Sequence, residues 1–282
     1  MHIRKDSDQN CYFINQTAYI TQVVKDLQLH EGKISDIPLS TGYGNSESPL
    51  LFRNEEYKRI IGCLLYISVN TRPDISAAVS ILAQKVTMPT EEDWNEVKRV
   101  VRYLKGTART ELKLGSDMSE QRLRAYTDAN WAGDRRSRRS NTGYIIMFGL
   151  GAISWTSKRQ SCVALSSTEA EFIALCEGCR ELSWIRRILS DFGMTFEQPT
   201  IIYKDNQSYL SMIQEKFSTR AKHIDTKKFF IKDYVDKGIV TCKYCFTEEM
   251  IADVLTKPLS RQRFVKLRQA LGLNVYPNEE EC

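Results

Sequence analysis

Four acidic residues in the second half of the chain have the type and spacing that could support chemistry. They are Asp128, Glu171, Asp205 and Asp253, with gaps of 43, 34 and 48 residues. Carboxylates that converge on one point repel each other unless cations lie between them, and oxygen-only ligands suit Mg²⁺ or Mn²⁺ better than zinc. Two such ions, roughly 3.5–4 Å apart, form the catalytic centre of many enzymes that cleave phosphodiester bonds.

Three of these acids also have ordinary structural explanations. Asp128 could be an exposed strand residue, although a buried carboxylate on a strand needs a partner or a metal. Asp205 follows a predicted strand, where an Asx-turn or a helix N-cap is common. Asp253 could be a first-turn acid favoured by the helix dipole. Its rivals for the fourth position are Asp225, Asp233 and Asp236.

Local pattern separates the best candidates from their neighbours. Ser166 and Glu169 fit a capping box, which gives Glu169 a structural role. At ~100° per residue, Glu171 falls within the apolar stripe of the same helix and should point toward the sheet and Asp128. Asp134 follows a glycine and precedes arginines, so it is predicted to be a turn residue.

Composition fits a globular protein with a substantial core. Apolar residues make up 42% and charged residues 27% of the 282 residues, and the net charge is +5. No run approaches the ~18 apolar residues of a membrane span, and the polar N-terminal segment 1–6 does not resemble a signal peptide. Eight cysteines without a secretion signal predict free thiols in a reducing compartment.

Two CxxC pairs raise the question of a zinc site. They are Cys176/Cys179 and Cys242/Cys245, separated by 62 residues, against the usual ~15–20 of a zinc ribbon. The second pair falls on a predicted strand, where positions i and i+3 point to opposite faces. The spacing therefore argues against structural zinc.

Basic residues cluster next to the first carboxylate strand. A solvated charged turn is the ordinary explanation of such a run. Beside a centre that cuts phosphodiesters, phosphate contact becomes the better interpretation. The candidates are Arg135, Arg136, Arg138, Arg139, Lys158 and Arg159.

The pattern changes character along the chain. Residues 1–115 are predicted to be mostly helical, with helices near 19–27 and 55–69, one starting at Pro73 and one capped by Thr90. Residues 116–122 are predicted to be a polar linker, and residues 274–282 an acidic tail.

Residues 123–273 are predicted to fold as an α/β domain with a mixed five-stranded sheet and flanking helices. The strands are predicted at 123–130, 143–148, 152–158, 200–203 and 239–246. The helices are predicted from Ser166 to before Gly193, and at 208–213, 222–235 and 248–256.

Eight blocks in one order carry a family resemblance. They are YTDANWAGD, RRSNTGY, ISWTSKRQ, ALSSTEAEF, IIYKDNQS, KHIDTKKFFI, EEMIADVLTKPL and LRQALGL. Together they resemble the ribonuclease H module at the C-terminal end of copia-type LTR retrotransposon Pol polyproteins. QTAYITQVVKDL, EEYKRIIGCLLYISVNTRPDI and PTEEDWNEVKRVVRYLKGT resemble the thumb and connection region of the reverse transcriptase in the same family.

The resemblance implies a ribonuclease H-like fold and hydrolysis of the RNA strand of RNA–DNA hybrids. It selects Asp128, Glu171, Asp205 and Asp253 as ligands of two Mg²⁺ ions, with Mn²⁺ as an alternative, and no small-molecule cofactor. It also implies nucleic-acid contacts by Asn206, Gln207 and His223, although an ordinary surface histidine on a helix explains His223 equally well. The expected partners are an RNA–DNA hybrid and the polymerase palm of the same polyprotein, without a membrane. The expected location is the cytoplasm, in the virus-like particle of the element, or the nucleus.

The sequence departs from the family pattern in three places. The paired polymerase aspartates are absent, so no polymerase activity is expected from this chain. Asp93 stands where the family usually carries a histidine, which removes a basic group from a region expected near nucleic acid. Residues 246–249 contain no histidine, unlike the flexible loop of cellular ribonucleases H.

Two other functions stay open at this stage. The chain could be a non-catalytic, hybrid-binding fragment of a truncated or co-opted element, although all four carboxylates are present. A transposase-type nuclease of the same superfold fits less well, because the SSTEAEF and ADVLTKPL blocks do not match its three-carboxylate arrangement.

Overall fold

The computed structural model describes residues 1–45, 47–115, 123–206 and 222–274, and the side chains of 222–225 are outside this description. The described residues form two compact units. The first comprises residues up to 115, together with 150–152 and 257–274, and the second comprises 123–149 and 153–256. Residues 257–273, predicted as the end of the second domain, therefore group with the first unit. The predicted linker, the predicted helix at 208–213 and residues 275–282 of the predicted tail lie outside the described residues.

The described part of the first unit combines five α-helices with a four-stranded sheet. The helices are α1 (Thr17–Asp26), α2 (Glu55–Asn70), α3 (Ser76–Ala83) and α4 (Glu91–Gly106), with α7 (Arg261–Ala270) from the C-terminal segment. The strands are β1 (His2–Asp6), β2 (Cys11–Asn15), β3 (Glu111–Gly115) and β9 (Leu273–Asn274), in the order β1-β2-β3-β9.

The predicted helices of this unit are present, but its strands were missed. Pro73 begins a 3₁₀ turn, Pro73–Ile75, that runs into α3. The side chains of β1 are mostly exposed, so the strand carries no apolar alternation that sequence could reveal. What defines it is antiparallel pairing with β2 across a tight turn, in which Asn10 adopts φ 47°.

Asp93 has a structural role in α4. The Thr90 hydroxyl accepts from the Asp93 backbone N–H, while the Asp93 carboxylate accepts from the Thr90 N–H at 2.7 Å, which completes a capping box. The Tyr43 hydroxyl also donates to Asp93. The residue that replaces the expected histidine is therefore buried and committed to helix initiation.

A fully buried charge network joins the helices of the first unit. Arg72 donates to both carboxylate oxygens of Asp74, at 2.9 and 2.7 Å, and to the Thr107 carbonyl at 3.0 Å. Tyr103 also donates to Asp74, and Arg268 of α7 donates to the Tyr103 oxygen. Burial acts to raise the pKa of Asp74, but Arg72 outweighs it, so the pKa is lowered and the pair stays ionised.

The second unit contains the predicted five-stranded mixed sheet. Its strands are β4 (Leu123–Asn130), β5 (Asn141–Phe148), β6 (Gly151–Arg159), β7 (Thr200–Lys204) and β8 (Val240–Tyr244), in the order β6-β5-β4-β7-β8. β4 pairs antiparallel with β5 and parallel with β7, which pairs parallel with β8. The bounds of β4 match the prediction, and the predicted mixed five-stranded sheet with flanking helices is confirmed.

Two helices pack against this sheet around one apolar core. They are α5 (Ser167–Asp191) and α6 (Lys222–Asp236). Their inner faces bury Phe172, Leu175, Leu182 and Ile231 against inward positions of the strands, such as Ile202. The thiols of Cys179 and Cys242 lie in the same core, where burial raises the pKa of both. All the described cysteines have free thiols.

The segment after β8 is not the single short helix predicted for 248–256. It forms two 3₁₀ helices, Thr247–Glu249 and Ile251–Leu255. Met250 and Ala252 pack with the tyrosines Tyr126 and Tyr203, which stack at 4.8 Å between ring centroids. None of the described helices is long and apolar enough to cross a membrane.

A glycine on α5 sets how closely the helix approaches β4. A Cβ on Gly178 would lie 2.5 Å from Cγ2 of Thr127, whose side chain is fully buried. We predict that Gly178→Ala lowers the free energy of unfolding by about 1–3 kcal/mol, because the helix must shift away from the strand. Urea denaturation followed by circular dichroism measures this change.

Gly62→Ala is the matched control for this substitution. Gly62 is an exposed glycine within α2, and a Cβ there would meet no atom within 4 Å. Alanine at that position should stabilise the protein by up to about 1 kcal/mol through helix propensity. Equal stabilisation by both substitutions would show that α5 does not depend on the glycine.

Candidate active site

Three of the four predicted carboxylates lie close together at one edge of the second sheet. Asp128 is near the end of β4, Glu171 is in the second turn of α5, and Asp205 directly follows β7. One oxygen atom from each lies within 4.8 Å of the other two. Asp128 and Glu171 are only 3% and 7% exposed, so the group is largely removed from water.

The strand order explains why two of these residues meet. β4 and β7 are adjacent and parallel, so the carboxyl ends of both strands lie at the same edge of the sheet. Asp128 and Asp205 lie at that edge, although 77 residues separate them in the sequence. Because Asp205 follows the last residue of its strand, its position depends on the strand register rather than on a local turn signal.

The start of α5 supplies the third carboxylate. The Ser166 hydroxyl accepts from the Glu169 N–H at 3.1 Å, as the predicted cap requires. The Glu169 carboxylate accepts from the Leu165 N–H, so it reaches back one residue further than a strict capping box. The structure therefore uses Glu169 to begin the helix and directs Glu171 into the carboxylate group, as the apolar stripe predicts.

A buried lysine in this group was not predicted as a site residue. The Lys204 side chain is completely buried, and its ammonium donates to the Glu171 carboxylate and to the Thr127 carbonyl, the latter at 3.1 Å. Its signal in the sequence is weak: Lys204 occupies the same face of β7 as Ile202 and immediately precedes Asp205. A charged residue at an inward strand position was the available indication.

Burial dominates the electrostatics of Glu171. The pKa of Glu171 is raised to about 7: burial raises it most, Lys204 lowers it, and the charges of Asp128 and Asp205 raise it. The Glu171 oxygen that does not contact Lys204 accepts from the Ala129 N–H at 3.4 Å. The protein thus holds Glu171 in a position where its charge is costly unless a cation is close by.

Asp253 lies outside the group of mutually close ligand atoms, which among the described residues is Asp128, Glu171 and Asp205. It is fully buried in the second 3₁₀ helix. Its segment reaches the site through Thr256, whose hydroxyl donates to Asp128 at 2.5 Å. The role predicted for Asp253 as a fourth ligand stays a prediction.

Gly143 permits this approach of the 3₁₀ segment to the sheet. It pairs with Asp128 across β4 and β5. A Cβ on Gly143 would lie 2.6 Å from Cγ2 of Thr256 and 2.9 Å from Cβ of Leu255. Any larger residue would push the segment away from Asp128.

The predicted arginine cluster forms a turn beyond β4. Asp134 organises it as the predicted turn residue: its carboxylate accepts from the Arg136 N–H and the Ser137 hydroxyl. Arg159 pairs with Asp134 at 3.0 Å, and Lys158 pairs with Glu177 at 3.0 Å. The side chains of Arg135, Arg136 and Arg138 are exposed and that of Arg139 is half-buried.

Three predicted nucleic-acid contacts follow the third carboxylate in sequence. Asn206 is half-buried and directly adjoins Asp205. Gln207 and the side chain of His223 lie outside the described residues. Their predicted contacts with nucleic acid stay predictions.

The donor set fits a divalent metal ion. Its ligand atoms are all carboxylate oxygens, which suit hard cations such as Mg²⁺ and Mn²⁺. Their separations allow a single ion to contact all three side chains. This acidic triad could therefore bind a metal, with Lys204 as a second cation at the Glu171 side.

Known proteins with similar sequences include Pol polyproteins of plant transposons. No family model matches. The Pol polyprotein from transposon TNT 1-94 of Nicotiana tabacum is 35% identical over 97% of this chain and 21% of the relative. The Pol polyprotein from transposon RE2 of Arabidopsis thaliana is 42% identical over 79% of this chain and 15% of the relative. The chain thus spans about a fifth or less of the length of these relatives.

Among solved structures, LC11-RNase H1 in complex with an RNA/DNA hybrid aligns with 48% of this chain and 93% of its own. The sequence identity is 15% and the TM-score is 0.37. A TM-score of that size does not establish a common fold. The fold class therefore follows from the strand order of the sheet, and the family from the Pol polyprotein relatives.

Together, the sheet and its carboxylates define a ribonuclease H-like domain. The chain belongs to the copia-type Pol polyproteins of LTR retrotransposons.

We predict that Thr256→Val lowers the free energy of unfolding by about 1.5–3 kcal/mol. The substitution removes the hydroxyl that donates to the buried Asp128 carboxylate, and hydrogen bonds to charged groups have about this strength. Thr256→Ser keeps the donor and should lose much less. Unchanged stability of Thr256→Val in urea denaturation would show that this hydrogen bond does not stabilise the fold.

Proposed function

We propose that this chain is a divalent-metal-dependent ribonuclease that hydrolyses the RNA strand of RNA–DNA hybrids. One observation carries the proposal: three carboxylates with oxygens within 4.8 Å of one another at the edge of a ribonuclease H-like sheet. Family membership supports it, because the chain corresponds to part of a Pol polyprotein. The partners we propose are the hybrid and the polymerase palm of the same polyprotein, in the cytoplasmic particle of the element.

Asp128, Glu171 and Asp205 would hold the metal, with Asp253 as the fourth ligand. When bound, two Mg²⁺ or Mn²⁺ ions supply a nucleophilic water at neutral pH and stabilise the departing 3′ oxygen. The contribution of the chain is to fix the carboxylates: Thr256 orients Asp128, and the Ala129 N–H and Lys204 orient Glu171. Burial of Asp128 and Glu171 keeps bulk water away from their carboxylate oxygens.

Substrate recognition would use the arginine turn. The exposed side chains of Arg135, Arg136 and Arg138 follow directly after β4, the strand that carries Asp128. Guanidinium groups bind phosphates without reading the sequence, which suits an enzyme that acts along any hybrid. Contacts to ribose 2′-OH groups would distinguish the RNA strand from the DNA strand.

We predict that Asp128→Asn and Glu171→Gln each abolish cleavage of a labelled RNA–DNA hybrid. Removing a metal-ligand charge should cost more than the roughly 10–100-fold typical of outer-shell changes. The assay compares Mg²⁺, Mn²⁺ and EDTA and follows both strands. Only the RNA strand of the hybrid should be cut, and only with metal present.

Glu169→Gln is the matched control for Glu171→Gln. Glu169 lies two residues earlier on the same helix, and its carboxylate accepts from the Leu165 N–H at 2.7 Å. Its substitution should leave cleavage within a few-fold of wild type. Undiminished cleavage by Asp128→Asn would refute the assignment, whereas hybrid binding without cleavage by the wild-type protein would favour a non-catalytic, hybrid-binding fragment.

We predict that Arg136→Ala combined with Arg138→Ala weakens hybrid binding and reduces its salt dependence. Each lost phosphate contact should lower the slope of log affinity against log salt by about 1. Fluorescence anisotropy at several salt concentrations measures both quantities.

The control pair, Arg180→Ala with Arg187→Ala, removes exposed arginines from α5, and Arg187 lies about 24 Å along the helix from Glu171. Equal effects of the two pairs would argue for non-specific charge attraction.

A further inference from the structure

Lys204 is a buried cation inside the carboxylate site. Its side chain extends from the last residue of β7 on the face that packs against α5. There the ammonium donates to Glu171 and to the carbonyl of Thr127 on the neighbouring strand β4. Both partners belong to elements that the sheet and the apolar core hold in place, so the ammonium has a fixed position.

The position of this ammonium brings it into conflict with a divalent ion. The Glu171 oxygen that accepts from Lys204 belongs to a carboxylate in the proposed metal-ligand group. An ammonium in contact with a metal-ligand carboxylate repels a metal ion bound to the same carboxylate. The repulsion is strong because burial leaves little water to screen the two charges. A carboxylate that is already neutralised by an ammonium also attracts a metal ion less.

The conflict cannot be relieved by the lysine moving into solvent. The Lys204 side chain is 0% exposed, and it lies between β4, β7 and α5 rather than at a surface from which it could swing out. An unpaired ammonium in such a place would be costly, so the lysine keeps its contact with Glu171. The metal must therefore bind in the presence of a resident positive charge.

We propose that Lys204 is a built-in cation that shares Glu171 with the divalent metal and thereby weakens metal binding at this site. The inference rests on the proposed function, since it takes the carboxylate group as the metal centre. Lys204 is thus a positioning residue with a cost: it holds Glu171 in place without metal, and it lowers the affinity for metal.

The test is calorimetric titration of the full chain with Mn²⁺ alone, in mildly alkaline buffer where carboxylates are ionised. The variants are Lys204→Gln, which keeps a hydrogen-bond donor, and Lys204→Met, which keeps only the length of the side chain. We expect both to bind Mn²⁺ at least about tenfold more tightly than wild type, because a nearby unit charge is removed. Circular dichroism verifies folding, and Lys204→Gln decides the result if the methionine variant is unfolded.

Lys237→Gln is the charge-matched control. Lys237 is exposed, pairs with Asp233, and precedes β8, at the opposite end of the parallel strands from the site. Its substitution changes the net charge by the same amount and should leave Mn²⁺ affinity unchanged. Thermal denaturation supplies a second measurement: Lys204→Gln should be less stable than wild type without metal and gain more stability from Mn²⁺.

The outcomes separate this inference from the proposed function. Unchanged affinity in Lys204→Gln, beside measurable binding by wild type that Asp128→Asn abolishes, overturns the inference alone. Weaker binding in both Lys204 variants also overturns it and makes the lysine a support for the metal site. Absence of Mn²⁺ binding in wild type and in every variant overturns the proposed metal centre together with the inference.

Discussion

Repulsion among closely spaced carboxylates is the constraint on which the second unit of this protein depends. Asp128, Glu171 and Asp205 bring oxygens within 4.8 Å of each other in a largely buried place. Negative charges so arranged destabilise a fold unless positive charge or hydrogen-bond donors offset them. The protein supplies the Lys204 ammonium for Glu171 and the Thr256 hydroxyl for Asp128.

Rigid packing around the site makes that arrangement possible. Gly178 lets α5 lie close to β4. Gly143 lets the Ile251–Leu255 segment lie against β5, the strand that pairs with β4. Both glycines stand where a Cβ would collide with a neighbouring residue, so close approach explains their presence. Stability elsewhere in the unit comes from the apolar core between α5, α6 and the sheet, which holds the acidic residues against their mutual repulsion.

The first unit resolves its own buried charges differently. Arg72 and Asp74 form a two-bond ion pair that Tyr103 and Arg268 complete, with all partners buried. Here two arginines surround one aspartate, so no negative charge is left over and nothing in the network calls for a metal. In the carboxylate group, the described acids outnumber the one lysine that contacts them, and that imbalance is what makes the site a metal candidate.

Features that depend on neighbouring residues in the sequence were determined by the sequence itself. The strand predicted at 123–130 is β4, and the pattern after Ser166 separated the capping Glu169 from the inward-facing Glu171. Caps and periodicity act over one or two turns, so one sequence is enough to reveal them. The ordered blocks likewise identified the family.

Tertiary structure alone decided which groups share a site. Lys204 and Thr256 could be recognised as site residues only from the packing of β7 and the segment after β8 against β4. Pairing between distant strands likewise created the sheet of the first unit, whose exposed strand β1 carries no apolar pattern. The position of Asp253 outside the close group has the same origin, because distances between carboxylate oxygens depend on packing between segments far apart in sequence.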